Sequence, residues 1–324
     1  MPTRVMSGMR PTGRLHIGHL VGALTQWVEF TKTADAFFEV ADVHAYTTAF
    51  SEPQRIRDSR VEMVLDWLAA GVDPNASTIF LQSAVPEIFE LHTLLSMITP
   101  VSWLERVPSY KGQIDELGGE IATYGFLGYP LLQLSDIAVF GANTVPVGRD
   151  QVAHLEFGRE VVRRFNSLYG KTLVEPTATL SDFPAILGTD GRKMSKSYNN
   201  AIEIADTADE TTKKVRSMVT DPLKVRRNDP GRPEICPVFA LHHLSTPTAR
   251  IAEIDRDCRS GALGCVACKT ELAETLNAKL APVRERRAHF DPGSVEAILA
   301  TGSARAREVA NDTMRAVRSA MKLT

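Results

Sequence analysis

What most constrains this chain is the alternation, through its first half, of short apolar runs with longer segments of helical spacing. The stretches "TRVMSG", "AFFEVADV", "STIFLQS" and "NTVPVG" are each ended by Gly, Asp or Ser. Runs of this length that are apolar on both faces suit strands buried inside a parallel sheet. Between them, "EPQRIRDSRVEMVLDWLAAG" and "RDQVAHLEFGREVVRRFNSLYG" repeat their apolar positions at helical intervals and stop at a glycine. Strands alternating with helices in this way predict a doubly wound, Rossmann-like α/β fold, in which ligands sit at the carboxyl ends of the strands.

At 324 residues the chain has room for one large domain and a smaller one. A net charge of −2 with 44% apolar and 23% charged residues describes a soluble protein with no overall pull toward nucleic acid or membrane, so such binding must come from local patches. No run is apolar enough to span a bilayer, and "MPTRVMSGMRP" lacks the apolar centre of a signal peptide, which predicts a cytoplasmic location. The texture changes near residue 185. "SDFPAILGTDGRKMSKSYNN" is a basic, glycine-containing loop, and helical segments broken by "DPLKVRRNDPGRPEIC" and "FDPGS" follow. The expected division is an α/β domain over 1–185, a loop over 186–200 and a helical domain over 201–324. In the last segment Val309, Thr313, Val317 and Ala320 form an apolar stripe beside Arg315, Arg318 and Lys322, as expected of a helix packing back on the first domain.

Chemistry concentrates in four places. In "MRPTGRLHIGHLVGAL" a strand runs into Pro11, Thr12 and Gly13, and a helix is expected to begin near Gly18, where unpaired N–H groups would attract an anion; His16 and His19 lie one turn apart and could equally cap that helix. "GTDGRKMSKSYNN" puts Arg192, Lys193 and Lys196 on a loop hinged by Gly188 and Gly191, suited to a polyphosphate whose charge grows as it leaves, or simply to solvent. In "YPLLQLSDIAVF" the residues Tyr129, Gln133, Asp136 and Phe140 share one face of an otherwise apolar helix. A buried aspartate needs a donor, and an indole N–H would be one that a phenyl ring lacks. Finally Cys236, Cys258, Cys265 and Cys268, all in the last third, read as metal ligands rather than disulfides in a reducing compartment.

Taken together, "HIGH" at His16–His19 and "KMSKS" at Lys193–Ser197 resemble the two signature motifs of the class I aminoacyl-tRNA synthetases, in the right order. Within that class the chain is similar, over nearly its whole length, to the tryptophanyl-tRNA synthetase family, through "SGMRPTGRLHIGHLVGAL", "VADVHAYTT", "GVDPNASTIFLQSAVPE", "SWLERVPSYK", "YPLLQLSDI" and "VPVGRDQVAHLE". The resemblance implies a homodimer that activates L-tryptophan with ATP and Mg2+ and then transfers it to tRNA(Trp). The amino acid's carboxylate is itself the nucleophile, so alignment and charge stabilisation carry the catalysis.

By that resemblance the catalytic residues are His16, His19, Lys111, Lys193 and Lys196. Arg10, Pro11, Thr12, Gly18, His19, Gly148, Arg149, Asp150, Ile186, Lys193, Met194, Ser195, Lys196 and Ser197 would hold ATP. Met6, His44, Tyr129, Gln133 and Asp136 would hold tryptophan. Arg10 departs from the glutamine usual in the family, and His19 from a common asparagine. A tyrosine-specific enzyme is the runner-up, because the same Tyr, Gln and Asp spacing meets a phenol there; Met6 and Arg10 stand where that family usually has tyrosine and aspartate. The cysteine run, with "DPGRPEICPV" and "GCVACK", resembles a bacterial subgroup that holds a [4Fe-4S] cluster, the first gap being one residue shorter here. Zinc is the alternative, four reduced thiols the third. A small-molecule adenylyltransferase and a non-catalytic, synthetase-like RNA-binding protein are the rival classes.

Overall fold

The computed structural model describes residues 3–108, 119–148, 151–180 and 186–323, apart from the side chain of Ser197. Five parallel strands form one sheet: β1 (Arg4–Met9), β2 (Asp35–Val40), β3 (Ser77–Leu81), β4 (Thr144–Val147) and β5 (Thr177–Leu180). Their order is β3-β2-β1-β4-β5. The chain therefore winds outward from β1 in both directions, and the crevice between the carboxyl ends of β1 and β4 is where such a sheet leaves room for a ligand.

Side-chain alternation along the strands explains why their sequences are apolar throughout. On β2, Phe37 enters a core with Met6, Phe80, Leu131 and Phe140, while Phe38 and Val40 enter another, on the opposite face, with Val5, Trp27 and Trp67. The four strands read from apolar runs are all present; β5 is the addition. Its sequence "TATL" is mostly exposed and is defined by pairing with β4 from Thr144↔Thr177 to Val147↔Leu180.

A third core, of Ile17, Met194, Ile202, Val215, Leu241, Leu272 and Leu276, joins the first helix to the helices that follow residue 200. The last helix, Pro292–Ala320, lies along β3. Gly302 permits the close approach: a Cβ there would stand 1.9 Å from the Ile79 carbonyl oxygen. Ser303 Oγ accepts from the Leu81 N–H at 3.2 Å, so this helix covers an edge of the sheet that would otherwise present unpaired groups. Its buried stripe runs through Val295, Leu299, Ala306, Ala310, Met314 and Val317, which includes Val317 of the stripe expected from sequence and shifts the rest. Arg318 pairs with Glu90 and Arg315 with Asp312, so neither is a free cation.

Candidate active site

A cavity of about 390 Å³ opens at the β1–β4 crevice. Its lining includes Met6, Arg10, His44, Tyr129, Gln133, Asp136 and Gly148, which places the expected amino-acid contacts together. Phe140 is the exception: the helix carrying it ends at Ala138, and its ring stacks on Phe37 in the core, 4.9 Å between centroids. Asp136 is 3% exposed, and each of its carboxyl oxygens has a partner. Its Oδ2 is 2.8 Å from His44 Nε2, and its Oδ1 accepts from Gln82 Nε2 at 2.9 Å. Gln82 Oε1 in turn accepts from the Val43 and His44 N–H groups, so the glutamine fixes both the carboxyl and the start of the helix bearing His44. Tyr129 Oη and His154 Nε2 are 2.6 Å apart.

From the mouth of this cavity, Arg10 donates to Thr48 Oγ1 at 3.2 Å, and the chain turns through buried Pro11 and Thr12, whose carbonyl accepts from Arg55, to Gly13. Here the second group of expected residues gathers. Lys196 Nζ donates to the Gly13 carbonyl at 2.8 Å, joining positions 183 residues apart in sequence. Two backbone pairings fix that approach: Ile17 N–H donates to Ile202 O at 3.0 Å and Ile204 N–H to Leu15 O at 2.9 Å. Met194 is buried beside Ile17 and Ile186, and its N–H donates to Ile186 O, so the "KMSKS" loop is pinned by its methionine. The Ser195 N–H donates to Asn200 Oδ1 at 2.8 Å.

Of the two readings of the histidine turn, an anion site and a cap, the structure shows the cap. The N–H groups at the helix start are already engaged, by Ile202 O, His16 Nδ1 and His16 O. His16 and His19 cap the helix themselves: Gly18 N–H donates to His16 Nδ1 and His16 N–H to His19 Nδ1. Burial, helped by Lys196, lowers His16 to a pKa of about 4; burial and His16 lower His19 to about 3. Both are neutral donors or acceptors at physiological pH, so positive charge here comes from the lysines and from Arg10 and Arg55. Burial also lowers Lys196 to about 8, against the opposing pull of Asp66 and Glu203. Arg192 is not part of this group, because it pairs with Asp190 at 2.6 Å and covers the Tyr198 ring. Lys193 is exposed. Lys111, Arg149 and Asp150, and the side chain of Ser197, lie outside the described residues.

Three participants went unread in the sequence. Gln82 and Glu39 line or brace the amino-acid end, and Asp66, fully buried, accepts from Leu15 N–H and Arg287 beneath the histidine turn, where burial raises it to about 6. Glu39 was the most legible, as a lone acid inside an apolar strand.

The four cysteines lie near one another in the helical region. The charge of each of Cys236, Cys258 and Cys265 acts on Cys268, which burial and this crowding push up to about 12. A Cβ at Gly231 would come within 2.6 Å of Cys258 Sγ, and Cys268 Sγ is 3.4 Å from His242 Nε2. Among the described residues no three His, Cys, Asp or Glu side chains stand close enough to hold a single metal ion.

With this geometry, the relatives are decisive. The family described as "tRNA synthetases class I (W and Y)" matches residues 1–281. The chain belongs to this family of class I tRNA synthetases. The tryptophan–tRNA ligase of Thermotoga maritima is 46% identical to this synthetase over 325 residues, covering 99% of each chain. That of Aquifex aeolicus is 42% identical over 393 residues, covering 99% of this chain and 100% of the relative. Among solved structures, the Campylobacter jejuni tryptophanyl-tRNA synthetase complexed with ADP and tryptophan superposes with a TM-score of 0.89 at 32% identity, covering 99% and 100%. A tyrosyl-tRNA synthetase from Archaeoglobus fulgidus, at 22% identity and a TM-score of 0.66, shares the fold. No helix among the described residues of this synthetase is long and apolar enough to cross a membrane.

Proposed function

We propose that this synthetase is a tryptophan–tRNA ligase whose two ends hold the two halves of one reaction. Asp136 at the cavity floor accepts the indole N–H, with His44 and Gln82 holding the carboxyl in place. The nucleotide extends from Gly148, Arg149 and Asp150 past Arg10, Pro11, Thr12, Gly18 and Ile186 to the loop. A carboxylate oxygen of tryptophan attacks the α-phosphorus of Mg-ATP, the bond to the β-phosphate bridging oxygen breaks, and pyrophosphate leaves with the electron pair. The terminal ribose hydroxyl of tRNA(Trp) then attacks the acyl carbon and AMP departs with the carboxyl oxygen. Neutral His16 and His19 hydrogen-bond phosphate oxygens without taking a proton, while Lys193, Lys196 and Lys111 meet the charge that grows on the leaving pyrophosphate.

The observation that carries this reading is the 2.8 Å contact between Lys196 and Gly13, which sets the lysine loop on the histidine turn beside a cavity floored by a fixed acceptor. A lysine donating to a neutral carbonyl exchanges that partner for a phosphate at a gain, so the contact marks where the nucleotide's charge belongs. The deciding experiment is ATP–pyrophosphate exchange with each standard amino acid in turn. Tryptophan is expected to stimulate exchange most strongly. Tyrosine outperforming it would transfer the enzyme to the other branch of the family, and no stimulation by any amino acid would leave only an RNA-binding role.

Several finer assignments complete the reading. The homodimer is carried over from the family resemblance, with the exposed Met97 and Val101, 72% and 58% accessible, available for burial, and the compartment is the cytoplasm. Arg226 and Arg227 are exposed and are assigned to tRNA phosphates. Lys269 is not, since its Nζ donates to the carbonyls of Arg216 and Met218 at a helix end. Cys236, Cys258, Cys265 and Cys268 are assigned to a [4Fe-4S] cluster. Four thiolates around one zinc ion, each about 2.3 Å from it, would have to crowd into a single shell. Beside Cys258 only a glycine at 231 leaves the space free, since a Cβ there would stand 2.6 Å from the Cys258 Sγ, and that space suits a bound group. The cluster's contribution is structural, tying the segment before helix Pro237–Ser245 to the start of helix Cys265–Arg287.

A further inference from the structure

The cavity contains a second carboxyl for which the reaction as drawn has no task. Glu39, on β2, is 2% exposed and lines the same cavity as Asp136. Among the described residues it joins no ion pair, and its Oε1 is buried without a hydrogen-bond partner of the ordinary donor-to-carboxylate kind. The strand register sets Gly8 directly across from it. A Cβ at Gly8 would stand 3.1 Å from both Glu39 Cβ and Glu39 Oε2, so the side chain occupies space toward the cavity that only a glycine on β1 leaves free.

A carboxylate so placed, with no cation to pair it, neutralises instead of staying charged. Burial holds the Glu39 proton on most strongly, and the neighbouring charges of Asp136 and Asp42 and a hydrogen bond to Asp136 add to that. Other groups around the pair do not reverse this. Asp42 has its oxygens on Val43 N–H, Ser83 N–H and Ser83 Oγ; His44 is on the far oxygen of Asp136 from Gln82; His92 is held neutral by burial; Tyr129 and Arg10 lie at the cavity wall and mouth.

We propose that Glu39 is a specificity-determining positioning residue, which as a neutral acid donates its O–H to Asp136 and leaves that carboxyl a single acceptor position for a ligand N–H. A carboxylate offers about four lone-pair sites. Gln82, His44 and Glu39 take three, and the fourth faces the cavity. An amino acid whose ring ends in one N–H donor satisfies it. A ring with no donor leaves it empty; a phenol O–H also fills it, so the device discriminates against donor-free rings. This rests on the reading of Asp136 as the acceptor of the indole N–H, and the test separates the two.

The full-length enzyme is compared with Glu39→Gln, Glu39→Leu and Asp136→Asn by infrared spectroscopy at pH 8 and by ATP–pyrophosphate exchange. The carbonyl stretch of a protonated carboxylic acid is expected in the wild type and lost in Glu39→Gln. Glu39→Leu should raise the tryptophan KM about tenfold, the value of one hydrogen bond to a charged group, with kcat little changed. Glu39→Gln, which keeps a donor, should recover most of that loss, and its KM should lack the rise at high pH that ionisation of Glu39 imposes on the wild type. Absence of the infrared band, or a Glu39→Gln enzyme as impaired as Glu39→Leu, overturns the proposal. Should Glu39→Leu not fold, the band and the pH profile of Glu39→Gln still decide. If Asp136→Asn leaves the tryptophan KM unmoved while the band is present, the indole reading of Asp136 fails and the protonation of Glu39 stands.

Discussion

The two ends of the cavity are built on opposite plans. At the amino-acid end the acceptor and its brace are fixed by other buried groups: Asp136 by Gln82 and His44, Gln82 by backbone N–H groups. At the phosphate end the histidines satisfy each other and the helix start, and the half-buried Lys196 donates to a backbone carbonyl. The first plan recognises a ground state, because its contacts are complete before and after reaction. The second holds a charge on a neutral partner that a phosphate would replace, so its full strength is realised only as pyrophosphate develops charge. That is the interaction that raises kcat and not merely affinity.

The contrast is broken most directly by Lys196→Ala. Loss of one preorganised donor to a developing charge should lower the exchange kcat by roughly 10²- to 10³-fold, while tryptophan affinity measured by fluorescence or calorimetry stays within about threefold. A parallel loss of tryptophan binding would show that the two ends are not separable. Next in size is Asp136→Asn. An amide cannot accept on both sides, so its NH2 must face either the Gln82 amide, where two donors oppose, or His44, which must then switch tautomer to accept. The expected cost is about 1–3 kcal/mol, read as a rise of about 5- to 150-fold in the tryptophan KM with ATP binding retained.

How much of this was legible in sequence follows the same division. The phosphate end is coded locally: "HIGH" and "KMSKS" are contiguous, and the strand leading to the first is an apolar run. The amino-acid end is coded across distance. Asp136 could be named because it breaks an apolar helix face, but its partner Gln82 lies 54 residues away and meets it only once β3 and the helix Tyr124–Ala138 are packed. Phe140 was placed on the same helix face as Asp136 by extending helical periodicity past Ala138, where the helix has already ended. β5 escaped because an exposed "TATL" has no apolar signal, and only pairing with β4 makes it a strand. The helix-start N–H groups could be read as free for an anion because propensity says where a helix begins and not what long-range partner, here Ile202, reaches it.

A third test sharpens the phosphate end by pH. Burial lowers Lys196 to about 8, so the free enzyme holds the lysine charged below that value and loses the charge as pH rises through it. The kcat/KM for ATP should therefore fall above about pH 8, and kcat, measured with phosphates bound, should fall at a higher pH because the nucleotide's charge favours the protonated lysine. Lys196→Arg, whose guanidinium stays charged throughout, should lose this alkaline limb even if its rate is lower. The histidines add no limb in this range, since His16 and His19 take up protons only near 4 and 3. An alkaline limb unchanged in Lys196→Arg would assign it elsewhere.

The smallest expected effect is the most discriminating about the loop itself. By charge alone Arg192 looks equivalent to Lys193 and Lys196, and a loop acting as a diffuse basic patch would lose activity when any of the three is removed. The structure separates them: Arg192 is paired with Asp190, which also accepts from Asn200 Nδ2 and from the Arg192 N–H, and its guanidinium covers the Tyr198 ring at 4.2 Å. Those contacts shape the loop and hold the charge on Asp190 and the Tyr198 ring. Arg192→Ala should consequently leave kcat and the KM for ATP within about twofold and change stability by no more than about 0.5 kcal/mol, as for an exposed surface residue. A loss approaching that of Lys196→Ala would mean that the loop works by total charge, and that the single contact to the Gly13 carbonyl is not what organises the phosphate end.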